Sequence, residues 1–216
     1  MKFKIIYIKI IIRLLYYKKI GLKNKKNKNM NSGDTSWMLC SSALVMIMTP
    51  GLGFFYGGMV KRSNMLSTIT YCFIIFAEIT IIWYLIGFSL VFSPSNNGFI
   101  CDLEYAVLEN VGSDPNPYYA TTIPFGLFFF YQLKFAGITP ALIIGAIVDR
   151  VKLLPLLVFV LFWIIFVYFP IACWMWNING WAFKLGVLDF AGGNVVHISS
   201  GFAALACAMQ YPTIKQ

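Results

Sequence analysis

Charge is scarce in this chain: Asp, Glu, Lys and Arg together make up 12% of 216 residues, and there is one histidine. A soluble domain carries about twice that charged fraction, so a water-exposed globular surface is excluded. One histidine leaves no nucleophile–base pairing to build an active site on, and no enzyme is expected. The five cysteines show no metal-binding spacing. No metal or other cofactor is expected. There is no Asn-x-Ser/Thr glycosylation acceptor.

What is abundant is apolar. Hydrophobic residues make up 59% and aromatic residues 18%, with a mean hydropathy of +0.74. The class is an all-α polytopic membrane protein, and function is to be sought in a pathway across the bilayer. The formal charge of +9 does not indicate nucleic acid. Ten of the 17 basic residues lie between Lys2 and Lys28, and from Met30 on seven basic residues face eight acidic ones. The excess belongs to a tail, no nucleic-acid motif accompanies it, and no nucleic-acid partner is expected.

A bilayer-spanning helix needs about 20 mostly apolar residues. Five stretches qualify: Trp37–Met59, Leu66–Phe92, Thr121–Val148, Leu153–Trp176 and Val187–Met209. A long polar loop, Ser93–Ala120, separates the second and third, and the other connections are short. Basic residues in short loops mark the cytoplasmic side. Lys61 and Arg62, Arg150 and Lys152, and Lys215 fall on one side. Ser93–Ala120 carries Asp102, Glu104, Glu109 and Asp114 with no basic residue, and Asn177–Gly186 carries only Lys184. Those two loops belong outside, which puts Met30 outside and Gln216 in the cytoplasm.

The first 29 residues would be a basic tail on the wrong side. A signal peptide and an additional span both fit poorly, since Lys9 and Arg13 break the apolar run; low-complexity sequence upstream of a true start at Met30 and a basic helix lying on the membrane surface are the other readings. The expected organisation is a basic extension over residues 1–30, a membrane domain over 31–210 and a short tail over 211–216.

Gly53 and Gly57 form a small-xxx-small pair in the first span, and Gly193, His197 and Gly201 recur at the same spacing in the fifth. Pro50, between Thr49 and Gly51, removes a helix hydrogen bond and leaves backbone groups to be met by neighbours or water. Four ionisable residues fall within spans: Glu78, Lys134, Asp189 and His197. Such residues are costly in hydrocarbon and are functional hypotheses by default. His197 reads equally as a polar pore contact for a small molecule or as an interhelical hydrogen-bonding group. Asp189 opens the fifth helix and can cap its first turn. Tyr131 and Phe135 share a face of the third span, four residues apart. Trp174, Trp176 and Trp181 gather at the outer end of the fourth. They read as interfacial anchors or as a cation–π site. Cys101 and Cys173 lie in or near outer loops, where a bridge is open to them, although sequence alone does not set disulfide geometry.

The chain resembles the first half of a transporter of the ammonium transporter family (Amt/Mep/Rh). The resemblance rests on Asp34-Thr35, the run Met48-Thr49-Pro50-Gly51-Leu52-Gly53-Phe54-Phe55-Tyr56-Gly57-Gly58-Met59-Val60, and Gly87–Phe92. It continues through Gln132, Phe135–Ile143, Gly145-Ala146 with Arg150, Pro170-Ile171-Ala172 with Trp176, and Leu188–Gly201. It implies eleven spans, built as two inverted five-helix repeats plus a final helix, of which this chain carries the first repeat, and it implies trimers with one pore per subunit. It also implies ammonium and ammonia as substrate, in the plasma membrane. Trp176 matches the tryptophan of the outer recruitment site, and Phe135 the inner gate phenylalanine bordering it. Tyr131 stands where an outer gate phenylalanine is usual. Asp189 matches the carboxylate supporting the recruitment site, and His197 the first of twin pore histidines. Ammonium would be bound outside, lose its proton, and cross as ammonia past the histidines.

Two residues depart from the family pattern. Lys134 stands beside Phe135, where it would snorkel, titrate or repel a cation, and Glu78 is a candidate partner for it. The chain also reaches Gln216 without the second repeat, and one repeat does not close a pathway formed between two. The expectation is that residues 1–216 alone conduct no ammonium. The alternative function is a non-transporting subunit in a homo- or hetero-trimer with a complete relative, or the product of a broken gene.

Overall fold

The structure, a computed structural model, describes residues 30–148 and 150–210. The basic extension, apart from Met30, and the tail over 211–216 lie outside the described residues. Within them the chain is helical, with one isolated antiparallel bridge between Asn116 and Ala120.

Helix α1 spans Ser32–Met59. Its start is set by Asn31, whose side-chain oxygen accepts from Gly33 N at 2.8 Å and Asp34 N at 3.2 Å, with Asp34 in the first turn. This is N-capping reinforced by the helix dipole. The helix runs unbroken through Pro50. Helix α2, Met65–Ile82, passes through a π turn, Trp83–Gly87, into α3, Phe88–Phe92. Helix α4 spans Phe125–Ile147. Helix α5, Leu153–Trp163, continues through a π turn, Ile164–Tyr168, into α6, Phe169–Trp176. A single turn, α7 (Trp181–Lys184), follows. A π-helical segment, Gly193–Ile198, then leads into α8, Ser199–Gln210.

Four of these stretches are long and apolar enough to cross a membrane: Ser32–Met59, Arg62–Phe92, Phe125–Ile147 and Leu153–Lys184. The fifth segment is helical but starts six residues later than Val187. Gly192, at φ 73°, holds a left-handed turn just before it, a conformation that costs a residue with a Cβ. The third span likewise begins at Phe125 rather than Thr121, after Pro124.

Helix α4 is the hub. It packs on α1, α2 and α8, and it buries a long run from Leu133 to Ile147. Helix α1 is the opposite case: its buried residues are Ser42, Thr49, Gly53 and Gly57, while Leu44, Ile47, Phe54 and Phe55 face outward. In hydrocarbon no free energy is gained by hiding a leucine from solvent, so close approach of backbones decides the interface. The expected glycine pair does this. A Cβ on Gly53 would stand 3.5 Å from Ile69 Cα, and one on Gly57 would stand 3.2 Å from the Ile69 side chain. Beside Gly57, toward the C-terminal end of α4, the Tyr56 hydroxyl donates to Leu142 O at 2.9 Å. The start of α1 meets the end of the long loop, Asn31 N donating to Thr122 O at 2.8 Å. The start of α1, the Ser93–Ala120 loop and the end of α6 therefore share one end of the bundle.

Candidate functional site

The site is assembled where α4, α6 and the segment before α8 meet. Tyr131 and Phe135 lie on one face of α4, their rings edge to face with centroids 5.1 Å apart. The row continues to Trp176, the last residue of α6, whose ring is edge-on to Phe135 at 6.3 Å. Trp176 is placed by Asp189: its indole Nε1 donates to Asp189 Oδ2 at 3.0 Å. Asp189 also accepts from Asn194 N at 2.8 Å and from Val195 N at 3.4 Å. The carboxylate precedes the helical segment instead of opening it, and joins its first amide groups to the tryptophan.

Four of the five expected site residues are thus one constellation: Tyr131, Phe135, Trp176 and Asp189. Three aromatic rings follow one another edge to face, and the row ends at a carboxylate bonded to the last of them. His197 is not part of it. It sits in the π-helical segment, its backbone N–H donating to Gly192 O at 3.0 Å. Val195 and Val196 turn inward and are buried, whereas His197 is exposed. Among the described residues nothing hydrogen-bonds its imidazole.

The three tryptophans separate into two groups. Trp174 and Trp181 lie 6.0 Å apart and pack with Phe99, and Trp174 Nε1 donates to Phe99 O at 2.9 Å. They anchor the long loop, and Trp176 alone faces the α4 rings.

The suggested Glu78–Lys134 pairing is not formed. Lys134 Nζ lies 3.1 Å from the centroid of the Phe130 ring, one turn toward the loop end of α4. The side chain reaches along its own helix and stays buried there over the ring. Glu78 keeps a buried carboxylate oxygen, Oε2, without a partner. Lys134 points neither at Phe135 nor at Asp189, so it does not occupy the constellation.

The open question of Cys101 and Cys173 is answered by a disulfide, with Cα atoms 6.5 Å apart. It fastens the loop to α6 one turn before Trp176. Three residues around it were not singled out by the sequence: Asn177, Ser89 and Ser93, all fully buried. The signal available was a polar residue directly after the apolar run ending at Trp176. In the loop, burial pushes the Tyr119 phenol up to about 12, with its oxygen 3.3 Å from Ile178 N. Burial likewise raises Tyr105.

A cleft of about 340 Å³ lies at the opposite end of the bundle, lined by Tyr56, Met59, Leu142, Gly145, Arg150 and Ala204. It does not reach the aromatic row. Among the described residues no His, Cys, Asp and Glu side chains gather as a metal site.

Comparison with known proteins gives a consistent result. The model of the Ammonium Transporter Family matches residues 36–213. The chain is 48% identical over 180 residues to the ammonium transporter of Bacillus subtilis, covering 83% of this chain and 44% of that protein. It is 44% identical over 180 residues to the ammonium transporter Amt1 of Archaeoglobus fulgidus, covering 83% and 43%. Among solved structures, Mep2 of Candida albicans superposes with a TM-score of 0.76 at 38% identity, covering 85% of this chain and 40% of that one. Saccharomyces cerevisiae Mep2 superposes with a TM-score of 0.76 at 35% identity, covering 89% and 44%. The chain spans less than half the length of these relatives. With its apolar helices and its match over residues 36–213, this multi-pass membrane chain belongs to the ammonium transporter family.

Proposed function

We propose that this chain forms the ammonium-recruiting half of an ammonium transport pathway. The observation that carries the reading is the Tyr131–Phe135–Trp176 row with Asp189 bonded to the indole. Ammonium binds at the outer end against Trp176, with Phe135 beside it. The rings attract the cation by their quadrupoles. The Asp189 carboxylate adds a negative field and holds the indole in place. Tyr131 and Phe135 form the gate below the recruitment site. The cation gives up its proton there, and ammonia passes on toward His197, which offers a polar contact in an otherwise apolar passage.

The His197 face of the last helix is completed by a second five-helix unit, as in a fold built from two repeats. The exposure of His197 supports this. The working assembly is a trimer in the plasma membrane. The loop end of the bundle lies outside, because Lys61, Arg62 and Lys152 all belong to the opposite end.

A chimera tests the reading. Residues 36–213 would replace the matching part of the Bacillus subtilis transporter in cells lacking ammonium uptake. Growth on low ammonium is expected, and its loss with Trp176→Leu. A chimera that reaches the membrane and supports no growth overturns the proposal.

A further inference from the structure

We propose that Asn177 is the positioning residue of the Trp176 site, and that it acts by locking the chain directly after the indole to the end of α3. The inference rests on the reading of Trp176 as a cation site. Asn177 has no exposed surface. Its side-chain Nδ2 donates to Val91 O and to Ser93 O, each at 2.8 Å, and lies 3.3 Å from Cys101 Sγ. Its Oδ1 accepts from Asn179 N at 2.9 Å. One amide therefore meets the end of α3, the disulfide and the turn into α7. Only a neutral amide has two hydrogens and an acceptor in one plane. An aspartate would set a carboxylate against two carbonyl oxygens.

The surroundings make this a rigid mount. The Ser89 and Ser93 hydroxyls are 2.7 Å apart, and both accept from Tyr105 N, at 2.9 and 3.2 Å. Gly98 O accepts from Trp181 N at 3.1 Å. A side chain at Gly98, where φ is 75°, would strike Asn179 O. Trp176 is thus held at two points. Asp189 grips the indole, and Asn177 fixes the main chain from which the ring projects. Removing the second anchor leaves the ring tethered by its tip, free to tilt relative to Phe135. A tilt of the ring weakens cation binding without touching any group that contacts the cation.

The full chain, labelled with 5-fluorotryptophan and purified in detergent, provides the test by fluorine NMR. Trp176→Phe assigns the Trp176 resonance, and the buried Trp83 serves as the fold reference. The probe is methylammonium chloride, with sodium chloride as control. In Asn177→Ala the Trp176 line is expected to move or broaden. Its methylammonium midpoint should rise about fivefold or more, the scale of a hydrogen bond's net contribution, while the Trp83 line stays in place. Asn177→Ser, which keeps one donor, should fall between. An unchanged Trp176 line and midpoint in Asn177→Ala overturns the inference. So does loss of the Trp83 line in both variants, which would make Asn177 a global fold residue. If Trp176 in the unsubstituted chain ignores methylammonium while Asn177→Ala still displaces its line, the cation-site reading fails and the positioning role stands.

Discussion

The outer end of α6 and the helix carrying His197 lie only a short stretch of chain apart, yet they are built in opposite ways. Around Trp176 almost every polar group has a partner: the indole with Asp189, Asp189 with two backbone amides, Asn177 with two carbonyls, and the loop with α6 through a disulfide. Around His197 the apolar neighbours Val195 and Val196 are buried while the imidazole is exposed and unbonded. On the proposed reading, a recruitment site is a fixed surface that one repeat assembles by itself. A pore wall is a seam and needs a facing element. The difference separates what this segment is equipped to do from what it shares with a partner.

The largest expected effect breaks the comparison at the pore. Expressed by itself in cells lacking ammonium uptake, the 216-residue chain is expected to give no growth on low ammonium, because His197 faces away from its own bundle. Growth would show that the recruiting half conducts unaided.

The next effects concern the outer end. Replacing Cys101 and Cys173 by alanine opens a bridge between residues 72 apart in sequence. Chain entropy predicts a loss on the order of 4 kcal/mol, read as a lower thermal midpoint in detergent. An unchanged midpoint would mean that the Asn177 and serine hydrogen bonds hold the loop unaided. Asp189→Ala removes the acceptor of the Trp176 indole and of Asn194 N, and should cost about 1–3 kcal/mol. Asp189→Asn should cost less, since it keeps an acceptor oxygen.

At the α1–α2 seam, Gly57→Leu would drive a side chain into Ile69, already 3.2 Å from a Cβ there. A cost of about 1–3 kcal/mol is expected from overpacking, and the same substitution at the open Gly58 should be near neutral. The smallest effect is in pH. Tyr119, raised by burial from 10.0 to about 12, stabilises the folded loop fully below pH 10. That contribution is lost as pH rises from 10 toward about 12. Tyr119→Phe should remove a late-ionising component from the phenolate absorbance titration, and removal of an early-ionising one instead would refute the partial burial of Tyr119.

Much of this was legible in the residues. Long apolar runs placed the four main spans. The glycine pair marked a packing face on α1 without naming the helix that fills it. The four-residue spacing of Tyr131 and Phe135 predicted their stacking. Where the reading fell short, the deciding fact was conformational rather than compositional. Glu78 and Lys134 looked complementary in composition, but the lysine follows its own helix to the Phe130 ring. The fifth helix looked continuous from Val187 because hydropathy does not register the left-handed turn at Gly192. Asn177 was passed over because three of its partners, Val91, Ser93 and Cys101, are far away in sequence.

The sequence by itself determined that the chain lives in a bilayer, which four long segments are apolar enough to cross it, and which residue types are available for a cation. These follow from local composition, because solvation by lipid acts on each segment separately. The family resemblance implied that Trp176 belongs with Phe135 and Asp189, but only the tertiary structure supplied the contacts that join them and set Trp174 and Trp181 apart. The tertiary structure also decided that Cys101 and Cys173 are joined, and that His197 stands apart from the site. Those facts depend on the crossing of α4 and α6 and on the direction each side chain takes from its backbone, which spacing along one helix does not contain.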